Sequence, residues 1–243
     1  MGSKIPAETT LRALDAVAFL NGEHGYAFNG MLTVNFEQLG LNKESEVKYA
    51  VRRLNEGISK LIARHTERWR YPATHTYLYV HEDVATSHGH HLHELVKIPR
   101  GLAPELPAWL YRWASRNFGE VPKAAVHYKG QYHSDLEKQA ENQGRLVRYV
   151  LKSSDDACVR SPSHEPTTLH HVLDVARHPR AYCAKVKRVV GVSQNISELE
   201  QLKAGFWRVE YPELALGDHY LKEHRRRLNA DELNEVLARM WDD

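Results

Sequence analysis

Residues 74–98 read THTYLYVHEDVATSHGHHLHELVKI and contain the clearest β-strand pattern of the chain. Residues 74–82 are rich in aromatic and β-branched side chains, and residues 91–98 alternate before Pro99 ends the run, which is typical of two β-strands. The polar segment 83–89 between them is suited to a turn. We therefore expect an antiparallel β-hairpin.

The segments on either side of this hairpin alternate between strand and helix patterns. A β-like run at 31–36 precedes it, and apolar residues at three- and four-residue steps predict a long amphipathic helix over 43–68. After the hairpin come a helical pattern over 106–113, a β-like segment over 124–128 and a helical pattern over 136–152. The order β-α-β-β-α-β-α predicts an α+β fold, a ferredoxin-like split β-α-β antiparallel sheet with helices on one face.

Two changes of pattern divide the chain. An N-terminal extension is expected at residues 1–25, where 10–20 have the pattern of a short amphipathic helix, and the split sheet is expected in a core of residues 26–155. Beyond Ser153 the sequence becomes polar and irregular. We predict a mostly helical accessory region at 156–243 from shorter helical patterns over 167–178, 197–205 and 218–240.

Composition and charge exclude several classes of protein. Hydrophobic residues make up 42% of the chain and charged residues 26%, and no apolar run is long enough to span a bilayer. The net charge of +2 excludes a uniformly basic binder of phosphate backbones, so any nucleic-acid surface must be local. Cys158 and Cys183 lack CxxC spacing, so we expect free thiols, and without a secretory signal pattern we expect a cytoplasmic protein.

Histidines in the second hairpin strand predict a metal site. Side chains alternate across a strand, so His91 and His93 point the same way while Leu92 points to the opposite face. Glu82 ends the preceding strand, where cross-strand pairing would bring its carboxylate beside them. Two imidazoles and a carboxylate suit Mn²⁺ or Mg²⁺ on a phosphate oxygen, and Zn²⁺ or Co²⁺ would also bind. His88 and His90 are alternative ligands.

A second candidate group lies on the last predicted helix of the core. Tyr149 and Lys152 are three residues apart and share a helix face, which brings together a hydroxyl nucleophile and a cation. A tyrosine with a pKa of about 10 needs a metal on the phosphate and a nearby positive charge before it can attack phosphorus. The alternative is a tyrosine packed on the sheet beside a surface lysine.

Taken together, these residues resemble the His-hydrophobe-His (HUH) endonuclease superfamily, in particular rolling-circle replication initiators (Rep proteins) with a single catalytic tyrosine. The resemblance covers roughly residues 28–152 and three motifs in the family's order. The motifs are Thr33-Val34-Asn35-Phe36 in the first strand, Gly89-His90-His91-Leu92-His93 preceded by Tyr79-Val80-His81-Glu82, and Tyr149-Val150-Leu151-Lys152.

The resemblance implies a mechanism and a substrate. His91, His93 and Glu82 would hold the metal that polarises the scissile phosphate, Tyr149 would attack it, and Lys152 would steady the developing charge. The products would be a 5′-phosphotyrosine link and a free 3′-hydroxyl, and reversal would reseal the strand. The implied substrate is single-stranded DNA beside a hairpin at an origin-like site of a plasmid, phage or transposon, with a host helicase and polymerase as further partners and no membrane.

Several other assignments stay open at this stage. Arg68, Trp69, Arg70 and Asn35 are candidate DNA contacts, and Tyr128 and Tyr132 are alternative nucleophiles. The basic segment 185–188 and the following 191–195 suit either a DNA phosphate contact or a loop that caps the next helix. Three other functions fit the same residues: a DNA-binding initiator that does not cleave, a metal-dependent phosphodiesterase that uses water, and a non-enzymatic fold with surface histidines.

Overall fold

The computed structural model describes residues 3–69, 73–84, 89–133, 135–161, 165–175, 182–184, 186–209 and 211–216. As far as residue 150, helices and strands follow one another in the order that the sequence patterns predict. In chain order the elements are α1 (Ala7–Glu23), β1 (Gly30–Asn35), α2 (Glu44–Trp69), β2 (Thr76–Val84), β3 (Gly89–Lys97), α3 (Leu106–Phe118), β4 (Val126–Gly130), α4 (Leu136–Val150), β5 (Cys158–Arg160), β6 (Pro166–Thr168), α5 (Leu169–Leu173), β7 (Tyr182–Cys183), β8 (Val190–Val192) and α6 (Glu198–Lys203).

A six-stranded antiparallel sheet forms the centre of the fold. Its strands follow the order β4-β1-β3-β2-β7, and β8 pairs with another part of β2. The expected hairpin is β2–β3, and the β-α-β-β-α-β sequence of elements produces the split arrangement in which β1 lies between β4 and β3. The α+β class and the antiparallel split sheet are therefore confirmed.

Helices cover both faces of this sheet, which corrects the expectation of helices on one face. α2 and α3 pack against Leu32, Leu92 and Val96. α1 and α4 pack on the other side, against Leu78 and Leu95. The physical reason is that β3 carries apolar residues on both faces, and each apolar face of a sheet must be buried by another layer.

The N-terminal and C-terminal parts of the described chain join this core. α1 contributes Leu14, Val17 and Leu20 to the same buried cluster as α4 and α5. β7 and β8 extend the sheet along β2, and β5 and β6 form a separate two-stranded sheet. The described part of 156–243 is thus not mostly helical, contrary to the expectation, because β7 and β8 pair with the open hydrogen-bonding edge of β2 and β5 pairs with β6.

Two further expectations concern the C-terminal helix and the cysteines. The helix predicted over 218–240 lies outside the described residues. Cys158 is exposed, Cys183 is buried, and neither is in a disulfide. Of the helices that the structure describes, none has the length and apolar character needed to span a membrane.

Candidate active site

His91 and His93 project from β3 onto the sheet face that α1 and α4 cover. Their rings are nearly parallel, with an interplanar angle of 7° and centroids 6.2 Å apart. Leu92 points to the opposite face and is fully buried against α2 and α3. The alternation of strand side chains thus brings the two imidazoles together as predicted.

Glu82 lies beside these histidines in the neighbouring strand. It pairs directly with His91 in the β2–β3 register, as the hairpin predicted. Its carboxylate, however, turns to the second histidine: Oε2 lies 3.0 Å from Nε2 of His93. Both side chains are about one-tenth exposed, so this contact is shielded from water.

Strand β1 and the start of β3 orient the two rings. Nδ1 of His91 lies 2.8 Å from the carbonyl oxygen of Gly89, which can only accept, so this nitrogen carries the proton and donates. The Nε2 atom is then the basic nitrogen, and the Asn35 amide lies 3.2 Å from it. Thr33 Oγ1 lies 3.1 Å from Nδ1 of His93. Hydrogen bonds of this kind fix the orientation of metal-binding histidines in other proteins.

The end of α4 and the turn after it bring Tyr149 and Lys152 to the same place. The helix ends at Val150, so Lys152 lies in this turn and not within a helix that continues to residue 152 as predicted. The Tyr149 ring meets the His93 ring edge to face, with centroids 5.3 Å apart. Lys152 Nζ lies 2.5 Å from Glu82 Oε2 and 3.8 Å from the centre of the Tyr149 ring. Val147 and Val150 anchor this end of the helix in the core, which holds the tyrosine against the sheet.

Burial and charge set the protonation of these groups. Burial alone would raise the pKa of Glu82, but the hydrogen bond from His93 and the charge of Lys152 outweigh it and lower that pKa to about 2. Burial also lowers the pKa of Lys152, against the pull of Glu82. The pKa of Tyr149 is raised by burial and by the Glu82 carboxylate. Tyr149 is therefore a neutral phenol in this arrangement and would need added positive charge to become a nucleophile.

The donor chemistry of His91, His93 and Glu82 fits a divalent cation, because two imidazoles and one ionised carboxylate share one sheet face. Within the described residues, no group of three or more His, Cys, Asp or Glu side chains is gathered to hold a metal ion. Glu82 Oε2 is instead engaged by His93 and Lys152. Binding of a cation by these three residues therefore requires those two contacts to rearrange.

A cavity of about 590 Å³ opens directly beside Tyr149, between β4 and α4. Lys129 and Arg145 contribute positive charge to its lining, and Tyr132 is part of the same wall. The other alternative nucleophile, Tyr128, packs instead with α2 and α3 on the opposite sheet face, where burial raises its pKa to about 12. The cavity therefore combines two basic side chains with Tyr149 and Tyr132 in one wall.

Several of the candidate DNA-contact and metal-ligand residues do not lie on this sheet face. Arg68 and Trp69 end α2, which packs on the opposite side of the sheet, and Arg70 lies outside the described residues. Of the alternative ligands, His88 also lies outside them. His90 faces Phe36 and the α2 side, where its Nε2 is 2.8 Å from Nδ1 of His81.

Thr33 is the site residue that sequence reasoning did not assign. It belongs to the first-strand motif of residues 33–36, and its position opposite His93 follows from the pairing of β1 with β3. That pairing joins strands that are distant in the sequence, so no local pattern indicates it.

Comparisons of the chain with protein-family models, with curated proteins and with solved structures gave no match. The function must therefore be inferred from the residues of the site and their geometry.

Proposed function

We propose that the protein is a divalent-metal-dependent endonuclease and strand transferase that nicks single-stranded DNA through a 5′-phosphotyrosine intermediate. One observation carries this proposal: α4 and the turn after it place Tyr149 and Lys152 within contact distance of His93 and Glu82. A phenol, an ammonium group, two imidazoles and a carboxylate thus meet on one sheet face. These are the groups that tyrosine-based phosphoryl transfer requires.

His91, His93 and Glu82 would hold the Mn²⁺ or Mg²⁺ ion, whose chemistry is to polarise a phosphate oxygen of the substrate. Tyr149 Oη attacks the phosphorus, so that the tyrosine–phosphorus bond forms as the bond to the 3′-oxygen breaks. The proton lost by the phenol is balanced by the proton gained at the released 3′-hydroxyl. The charge of Lys152, whose Nζ lies 3.8 Å from the centre of the Tyr149 ring, would favour the phenolate once Glu82 no longer neutralises it.

The cavity beside Tyr149 supports a single-stranded substrate. Lys129 and Arg145 supply charge for phosphates along its wall. A single strand in this cavity is flexible enough to bring one phosphodiester to the Tyr149 hydroxyl, whereas a paired duplex is stiff. An origin-like sequence with a hairpin, on a plasmid, phage or transposon, is the natural source of such a strand.

The test of this proposal is covalent capture. The protein is incubated with Mn²⁺ and end-labelled single-stranded oligonucleotides with randomised cores, and the mixture is resolved on a denaturing gel. We expect label that migrates with the protein, and we expect Tyr149→Phe to abolish it while DNA binding persists. Tyr111→Phe, at an exposed tyrosine of α3, is the matched control and should leave the adduct unchanged.

Each other result contradicts a specific part of the proposal. Cut DNA without attached protein would favour a phosphodiesterase that uses water. Binding without cleavage across the library would favour an initiator that assembles partners. An undiminished adduct in Tyr149→Phe would move the nucleophile to Tyr132, which lines the same cavity. Full nicking in EDTA, or in His93→Ala, would exclude the metal assignment.

A further inference from the structure

A second and larger cavity opens on the sheet face opposite Tyr149. It has a volume of about 970 Å³ and lies between α2, β2 and the segment 186–188; we call it the α2 groove. The residues that matter for its chemistry are Tyr77, Tyr79, Lys48, Arg52, Asn55 and Arg188. None of these residues takes part in the site around Tyr149.

Aromatic rings line the β2 side of the α2 groove. The odd-numbered residues of β2 face α2, and the rings of Tyr77 and Tyr79 are nearly parallel, at 17°, with centroids 6.1 Å apart. His75 and His81 continue the row on either side. Gly191 of β8 underlies the Tyr79 ring, where a Cβ atom would clash with it, so the absence of a side chain there allows the ring to lie flat.

Positive charge surrounds these rings. Five basic side chains line the α2 groove against two acidic ones, which are Glu44 and Glu56. Glu44 accepts the backbone N–H of Lys187 at 2.8 Å, and Glu56 lies 3.5 Å from Arg52, so basic side chains still outnumber acidic ones when these two charges are counted. The groove therefore attracts anions, although the whole chain carries a net charge of only +2.

Asn55 is a buried polar residue in the wall of the α2 groove. Its side chain is nine-tenths buried, and its Oδ1 atom has no hydrogen-bond partner in the described structure. A buried acceptor without a partner is unfavourable, so a ligand N–H group that reaches it gains a hydrogen bond. Flat rings, a cationic rim and a buried polar acceptor match the base, phosphate and base-edge contacts of single-stranded nucleic acid.

We propose that the α2 groove binds single-stranded DNA, with bases stacked on Tyr77 and Tyr79 and phosphates against Lys48, Arg52 and Arg188. The proposal concerns binding alone, so it does not depend on cleavage at Tyr149. β2 carries Glu82 on one face and Tyr79 on the other. A strand that occupied both sites would pass around the edge of the sheet.

The charge contacts are tested by fluorescence anisotropy with labelled oligothymidylate, in EDTA and in a Tyr149→Phe background so that no DNA is cut. Lys48→Gln with Arg52→Gln should lower the slope of log affinity against log salt by about 1.4, because each phosphate contact to a single strand contributes about 0.7. The control pair is Arg53→Gln with Arg112→Gln, two exposed arginines that do not line the groove. An equal slope in both double variants would overturn the proposal.

The stacking contacts are tested with a base-free strand. Tyr79→Leu should weaken oligothymidylate binding by about fivefold or more, the loss expected for one stacked base. An abasic strand of equal length should bind the unmutated protein more weakly than oligothymidylate does. Its affinity should be the same for the unmutated protein and for Tyr79→Leu. Equal binding of both strands before mutation would overturn the base-stacking assignment. If Tyr79→Leu does not fold, the exposed charge variants decide, and adduct formation at Tyr149 reports separately on the nicking proposal.

Discussion

Lys152 links the two halves of the candidate active site at the scale of single residues. Its ammonium group lies 2.5 Å from Glu82 and also faces the Tyr149 ring. The side chain is 7% exposed and that of Glu82 is 10% exposed. A charged pair this deeply buried is costly to break, because the remaining partner keeps its desolvation cost.

We therefore expect Lys152→Met to lower the free energy of unfolding by about 2 kcal/mol or more, somewhat less than the usual cost of breaking a buried pair because His93 still bonds to Glu82. Urea denaturation measures this change. Lys203→Met, at an exposed lysine paired with Glu200, is the control and should cost less than about 1 kcal/mol.

The double variant Lys152→Met with Glu82→Leu distinguishes the effect of an unpaired buried charge from the effect of lost side-chain packing. Because it removes both charges, it should be more stable than Lys152→Met alone. A double variant that is less stable by the sum of the two single losses would show that the residues act independently.

At the scale of elements, α4 is fixed from two sides. Its apolar face packs in the core through Val147 and Val150, and Gly144 on the same helix touches the backbone of Leu216. This close approach ties the nucleophile helix to a segment far along the chain. Helix propensity and tertiary packing therefore make opposite demands on position 144.

Propensity alone predicts that Gly144→Ala would stabilise a helix by about 1 kcal/mol. We expect the reverse, a loss of about 1–2 kcal/mol, because the new Cβ atom would meet the Leu216 carbonyl oxygen. Thermal or urea unfolding measures the sign. Glu141→Ala, at an exposed position of the same helix, should change stability by about 0.5 kcal/mol or less. A stabilised Gly144→Ala variant would show that the backbone at Leu216 moves away from the new methyl group at little energetic cost.

At the scale of the whole molecule, the described ends of the chain complete the core. α1 supplies Leu14 and Val17 to the buried cluster that also holds Leu173 and Ile196 from the C-terminal part. β7 and β8 cover the edge of β2. The expected division at residues 25 and 155 therefore cuts through one hydrophobic cluster.

We expect a fragment of residues 26–155 to lose cooperative unfolding, because it exposes this cluster and the edge of β2 to water. Circular dichroism during heating measures the transition. The control is a fragment of residues 3–216, which retains α1, β7 and β8 and should unfold in one transition. A cooperative transition in the shorter fragment would support the three-part division inferred from the sequence.

Local periodicity accounts for the features that could be predicted from the amino-acid sequence. The alternation of β2 and β3 set the hairpin and placed His91, His93 and Glu82 on one face. Tyr149 and Lys152 lie near each other as their spacing predicts, although α4 ends at Val150 and Lys152 lies in the turn after it. Such patterns are visible in a sequence because neighbouring side chains have fixed directions in a strand or helix.

The tertiary structure alone decided which helix covers which sheet face. It joined Tyr149 to His93 and Thr33 to His93, and it moved Arg68 and the rest of α2 to the far side, where Tyr79 lines the second groove. A local pattern cannot settle these placements, because an apolar helix face fits either side of a sheet that is apolar on both faces. The choice depends on the summed packing of segments distant in the chain.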